Sequence, residues 1–231
     1  MNNAHFGRVS GDVYALAVWD KGWQSYTNSY LILRDQQVML IDTGKAEHFP
    51  QLQAALETLG KTADDVTVVL ATHGHADHIG SVGRFPKAVN ALHPHDFPLL
   101  SPADRAHFTL QLPDQGEVFG LTCWLWGDHT AGSCVLHDPA SGVTFAGDPL
   151  CFFGEPLPEG ALVARADALR DALVSWVGQG ELYRDPRVQP ERFRRGLAYL
   201  STLDMSYLAT GHGVILCGNL PAFFQALRAK A

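Results

Sequence analysis

Val66-Thr67-Val68-Val69-Leu70-Ala71 runs directly into Thr72-His73-Gly74-His75-Ala76-Asp77-His78, and the junction decides the fold. The first six residues are almost wholly apolar and largely β-branched, the pattern of a strand buried on both faces. Four potential metal ligands follow within six residues, on a loop at the strand's end, where rigid scaffolds present functional groups. His73 and His75 alternate, so an extended segment projects both to one side. Asp77 and His78 are then placed to turn toward a second ion.

Upstream of this segment, strands are expected at Tyr14–Trp19 and Asn28–Arg34, joined by a loop containing Lys21, Gly22, Trp23 and Tyr26. A turn at Asp35-Gln36-Gln37 leads into a third, Val38–Asp42, closed by Thr43-Gly44. Phe49, Leu52, Leu56 and Leu59 then fall at helical spacing, with Gly60 as the stop. Downstream, strand-like pieces recur at Ala88–Leu92, Leu121–Trp126, Cys134–His137 and Val143–Ala146. Asp138-Pro139-Ala140-Ser141-Gly142 makes a hairpin turn between the last two. Past residue 160 the pattern is mainly helical: Leu169, Leu173 and Trp176 form one stripe, and Phe193, Leu197 and Leu200 line a helix opened by Pro190. A short strand, Tyr207–Ala209, precedes a last helix, Pro221–Ala229. Two β-rich halves, each followed by helices, point to helices outside a central pair of sheets. With no Pro/Gly/Ser-rich linker, one domain over residues 1–231 is expected.

Three further positions share the context of the first cluster. His129 lies in Gly127-Asp128-His129-Thr130-Ala131-Gly132-Ser133, after the apolar run ending at Trp126. Asp148 follows Phe145-Ala146-Gly147, and His212 stands between Gly211 and Gly213, where glycine permits close backbone approach. With Leu40-Ile41-Asp42-Thr43-Gly44 upstream, these motifs run in order from residue 28 to 213. In that order they resemble the metallo-β-lactamase superfamily, and most closely its glyoxalase II-like and lactonase-like hydrolases.

The resemblance implies an α+β fold, a four-layer αββα sandwich with the metals at one edge of the sheets. It assigns His73, His75 and His129 to one metal and Asp77, His78 and His212 to a second, with Asp148 bridging them. Asp42 would orient the ligand loop from outside the metal sphere, while Asp77 and Asp148 take part in the chemistry. The chain departs from the family where Pro-Gly-His-Thr-Pro-Gly is common: it has Trp126-Gly127-Asp128-His129-Thr130-Ala131-Gly132, which alters loop stiffness and adds a carboxylate. No cysteine stands at a ligand position, which disfavours the cysteine-ligated β-lactamases. The chain is also short for the inserted domain of the nuclease branches. His93 and His95 read as incidental loop residues.

Two divalent transition-metal ions, zinc by default with iron or manganese compatible, would supply hydroxide near neutral pH and polarise a carbonyl. The expected reaction is hydrolysis of a thioester, ester or lactone. Its rivals are a mononuclear iron sulfur (persulfide) dioxygenase and a catalytically silent metal-binding module. Trp23 and Tyr26 are the candidate substrate contacts, since both offer apolar area with a polar edge; Trp19 and Tyr30 read as core. Arg165, Arg170, Arg192, Arg194 and Arg195 belong to helical stretches and read as solvated.

A net charge of -7 sets the overall field against nucleic acid. No apolar run approaches the roughly 18–20 residues that span a bilayer, and the first residues lack a signal-peptide core. Cys123, Cys134, Cys151 and Cys217 show no paired spacing and read as reduced core residues, with Cys151 or Cys217 bordering the site as the alternative. The expectation is a cytoplasmic protein acting on a small molecule.

Overall fold

The computed structural model describes residues 3–152 and 162–231. The buried apolar run of the sequence becomes the middle of a seven-stranded sheet. Its strands lie side by side in chain order: β1 (Ala4–Ser10), β2 (Val13–Asp20), β3 (Ser25–Arg34), β4 (Gln37–Ile41), β5 (Val66–Leu70), β6 (Val89–Leu92) and β7 (Leu110–Gln111). The first four pair antiparallel and the rest parallel, because helix α1 (Phe49–Thr58) carries the chain back between β4 and β5. In β5 every residue but Thr67 is buried, which is why it reads as a continuous hydrophobic run.

A second mixed sheet contains β8 (Gln115–Val118), β9 (Leu121–Leu125), β10 (Cys134–Asp138), β11 (Val143–Gly147), β12 (Val163–Ala164), β13 (Tyr207–Thr210) and β14 (Ile215–Cys217), in the order β12-β14-β13-β11-β10-β9-β8. The sheets bury a shared core that includes Tyr30, Ile41 and Leu70 from the first, and Leu136, Phe145 and Ala209 from the second. Each sheet also buries its outer face. Leu52, Ala55 and Leu56 of α1 pack on Leu16, Leu31 and Leu40. Helices α4 (Asp167–Gly178), α5 (Pro190–Leu200) and α6 (Leu220–Lys230) cover the other sheet, with Phe193, Leu197, Phe224 and Leu227 against Val135, Ala146 and Leu208. Two one-turn helices, α2 (Ala76–Ile79) and α3 (Pro102–Arg105), sit in the connections. The layers are therefore αββα, as the sequence implied.

Two readings need correction. Tyr26 is not a loop residue: β3 begins at Ser25 and its side chain is 3% exposed, its ring against Trp19 and His5. Arg170 is not solvated: it is buried and donates to the carbonyls of Gly218 and Cys217, both at 2.7 Å. Among the described residues no helix is long and apolar enough to cross a membrane.

Candidate metal centre

Both sheets end at the same edge. The turn after β5 carries His73 and His75; α2 then starts with His75 at its N-cap, and this single turn swings Asp77 and His78 inward. The second sheet contributes His129 between β9 and β10, Asp148 after β11, and His212 between β13 and β14. The sheets are laced together here. Tyr30 donates through its hydroxyl to the Thr210 carbonyl at 2.6 Å, and Asn28 Nδ2 donates to the Thr210 and Gly213 carbonyls at 3.0 and 2.9 Å. These contacts fix the His212 loop against β3.

All seven donor residues expected from the sequence come together, in two groups. His73, His75, His129 and Asp148 form one, and Asp77, His78 and His212 the other; within each group the donor atoms lie within 4.8 Å of one another. In the first, His75 Nδ1 lies 3.1 Å from His73 Nε2 and 3.0 Å from His129 Nε2. The carboxylate of Asp148 reaches both groups: Oδ2 is 3.4 Å from His129 Nε2 and 3.3 Å from His212 Nε2, and Oδ1 is 3.2 Å from His78 Nε2. Gly211 makes room for this, since a Cβ there would meet Asp148 Oδ1 and, at 2.6 Å, His78 Cε1.

Outer partners set which nitrogen faces the centre. Asp42 Oδ2 lies 2.8 Å from His78 Nδ1, and the Tyr26 carbonyl 2.7 Å from His212 Nδ1, so each ring turns Nε2 inward. Asp42 also accepts from the Thr72 amide at 2.7 Å and its hydroxyl at 2.8 Å. It does so with φ at +58°, as His129 sits at +69°. Non-glycine residues held in that region mark places where surrounding contacts over-determine the backbone. Asp42 thus ties the Thr72 backbone to the His78 ring.

The electrostatics divide the two groups. Burial pushes His73 well below the ordinary histidine range, helped by His78, and takes His129 down to about 4. Burial also lowers His75. Burial would lower His78 and His212 as well, but Asp148 outweighs it, with Asp42 helping at His78 and Asp77 at His212; His78 ends well above the usual range and His212 at about 9. Burial disfavours the Asp148 carboxylate, yet His78, His212 and His73 hold it well below the usual range. Buried anionic oxygens facing imidazole nitrogens are the donor set that borderline divalent cations take. The atoms themselves support this fit: Asp77 Oδ2, His78 Nε2 and Asp148 Oδ1 are buried without a hydrogen-bond partner among the described residues, a costly state unless something else satisfies them. His78 Nε2 and Asp148 Oδ1 approach within 3.2 Å but out of hydrogen-bond alignment.

One residue here escaped the sequence reading. Asp96, wholly buried on the 3-10 turn Pro94–Leu99, accepts from the Gly74 amide at 2.8 Å, the Gly132 amide at 2.7 Å and the Thr130 hydroxyl at 2.7 Å. It clamps the loop of His73 and His75 to the loop of His129. A Cβ on Gly132 would meet the Asp96 carboxylate at 2.7 Å, so that glycine is what lets the clamp close. The signal lay beside His93 and His95, in the carboxylate that ends His93-Pro94-His95-Asp96. His93 pairs with Asp114 at 2.9 Å and His95 is exposed, both outside the donor groups.

The centre opens into a cavity of about 520 Å³ whose lining includes His129, Asp148, His212, Trp23 and Cys151. Trp23 stands at its mouth, 54% exposed, with its ring 5.8 Å from that of His212. Tyr26 does not line it; what Tyr26 offers the site is its backbone carbonyl. The Cys151 thiol donates to the Asp148 carbonyl at 3.2 Å, and burial, with Asp148 beside it, pushes its pKa well up. Cys217 is not in the lining. Asp128, whose carboxyl burial raises to about 6, faces away and accepts from the Gln189 amide at 2.6 Å.

Known proteins share this fold. Metallo-beta-lactamase domain-containing protein 1 from Mus musculus is 49% identical over 59 residues, 26% of this chain and 22% of that protein. Its counterpart from Homo sapiens is 48% identical over 59 residues. The matched stretch thus spans about a fifth of these relatives' length. Among solved structures, a point mutant of the flavo di-iron protein from Thermotoga maritima superposes with a TM-score of 0.77 at 17% identity, over 98% of this chain and 61% of that one. The metallo-beta-lactamase FIM-1 from Pseudomonas aeruginosa, in its mono-zinc form, gives 0.70 at 15% identity, over 98% and 94%. At such identities the likeness is one of fold. The family model for the metallo-beta-lactamase superfamily matches residues 22–188, a span that takes in six of the seven donors and leaves His212 beyond it. On that match, this chain belongs to the metallo-β-lactamase superfamily.

Proposed function

We propose that this chain is a dinuclear metal-dependent hydrolase that cleaves a thioester, ester or lactone. One observation carries the reading: two groups of donors share a single buried carboxylate, Asp148, within 3.2–3.4 Å of histidines in both. A carboxylate so placed is suited to serve two ions at once. His73, His75 and His129 would hold one divalent ion, Asp77, His78 and His212 the other, and Asp148 both; zinc is the first choice, with iron or manganese compatible. Such a pair supplies Lewis acidity at the carbonyl and a water acidic enough to attack near neutral pH.

The chain's own groups do the rest. Asp42 and the Tyr26 carbonyl keep the His78 and His212 rings in one orientation through their Nδ1 contacts. Asp77 is held ionised, because contact with His212 and the nearness of His78 outweigh its burial. It lies 3.3 Å from His212 Nε2, and would carry a proton to the departing oxygen or sulfur once its hold on the ion loosens. The acid and the alcohol or thiol then leave through the cavity. The test is a panel of neutral esters, thioesters and lactones, assayed before and after a strong chelator. Hydrolysis of at least one class, lost on chelation and restored by zinc, is expected; no hydrolysis of any class by fully metal-loaded protein would overturn the proposal.

A further inference from the structure

We propose that the substrate carries an uncharged hydrocarbon substituent, which lies along the α4 face of the cavity while its scissile bond sits at the metal centre. The inference rests on the hydrolase reading for the identity of that bond. It rests on the cavity for everything else.

At about 520 Å³ the cavity has the size of a small-molecule site. Leu169, Leu173 and Trp176, spaced i, i+4 and i+7, present one helical stripe to it, with Leu182 and Val188 also in the lining. Six large hydrophobic side chains are exposed among the described residues, and the two tryptophans, Trp23 and Trp176, both line this cavity. Exposed apolar area gathered over a polar centre marks a site for an apolar ligand rather than scattered surface.

The charges that the described residues place around the cavity are already matched. Among the described residues, and apart from the donors, its charged lining residues are Asp185 and Arg187, which pair with each other: Nη2 lies 2.6 Å from Oδ2, and Nε 3.0 Å from Oδ1. That pairing holds the Asp185 carboxyl down at about 2. Lys45 sits 4.5 Å over the Trp23 ring but is ion-paired to Asp20. An anionic tail would therefore meet a cation already paired with a carboxylate, whereas a hydrocarbon needs no counter-charge. The turn that carries Trp23 is also held: Asp20 Oδ1 accepts from the backbone amides of Gly22 and Trp23 at 2.7 and 3.1 Å. A backbone held in this way leaves less of the chain to order on binding.

Two series test this on the metal-loaded protein: acyl chains of two to ten carbons on one leaving group, and alkyl leaving groups of the same lengths on one acyl group. In one series kcat/KM should rise about fourfold per methylene until the cavity fills; the corresponding ω-carboxylates should be poorer. Binding of linear alkanols from butanol to decanol, followed by tryptophan fluorescence, should show the same dependence without any reaction. Ala172→Glu, at an exposed lining position on α4, should flatten both slopes, and so should Trp176→Ala, with folding of each checked by circular dichroism. Flat slopes in both series and in alkanol binding, or a preference for the carboxylates, would overturn the inference. Chain-dependent alkanol binding with no hydrolysis of any ester, thioester or lactone would sink the hydrolase reading and leave the cavity's occupant as proposed.

Discussion

Asp148 concentrates the argument at the scale of the residue. It is a buried anion among histidines, and its charge, not its shape, is what both donor groups share. Asp148→Asn keeps the volume and removes that charge. Changes just outside a metal's ligands cost roughly 10–100-fold in affinity or activity, so this one should lower turnover at least 100-fold and weaken metal occupancy while the fold persists. Turnover and metal content near those of the unaltered protein would exclude the bridging role. The same scale explains why Tyr26 departs from its expected place. An aromatic between Trp23 and Asn28 looks like a loop contact, but it falls on a strand face that Trp19 and His5 cover, and cross-strand burial leaves no mark on the residue itself.

Among the elements, those with strong local patterns were legible and those held by their neighbours were not. Val66–Leu70, α1, α5 opened by Pro190, and the last helix each carry their own periodicity or start signal. The strand β1, with its sequence Ala-His-Phe-Gly-Arg-Val-Ser, and β8, with Gln-Gly-Glu-Val, do not. They lie at sheet edges, where pairing to one partner makes the strand and little apolar face is needed. The donor set was legible because each ligand follows a strand end. Asp96 was not, because its three partners sit 22 to 36 residues away. Asp96→Ala would leave the buried Gly74 and Gly132 amides without an acceptor, at about 1–3 kcal/mol each, while the Thr130 hydroxyl keeps Ser133 Oγ at 2.8 Å. It should lower the melting temperature of the metal-free protein and cost roughly 10–100-fold in metal affinity. Asp96→Asn, which keeps the volume, should lose part of both. Unchanged affinity in a folded Asp96→Ala protein would show that the clamp does not position the ligands.

At the scale of the whole molecule, two sheets must stay in register for one edge to hold seven donors. Away from the centre they are joined by Arg34 of β3, which pairs with Asp138 of β10 at 2.8 Å and with Asp12 at 2.6 Å. Burial alone would raise the Asp138 carboxyl, but Arg34 and the Ser141 hydroxyl hold it below its ordinary value of 3.8. A carboxyl depressed by folding contributes stability above that value and loses it as pH falls through the folded pKa. The melting temperature should therefore drop as pH is lowered past about 4. In Arg34→Met that acid-dependent part should shrink, on a lower stability at neutral pH. An unaltered acid profile in the variant would remove Arg34 from the account. The claim that most depends on the sheets meeting as described is that the edge holds two ions, and metal content per chain tests it directly. Measured by mass spectrometry on metal-saturated protein, the unaltered chain should carry about two ions and the double variant His78→Ala, His212→Ala about one. One ion in both, with the double variant indistinguishable from the unaltered chain, would contradict the dinuclear centre and point to a single-metal enzyme.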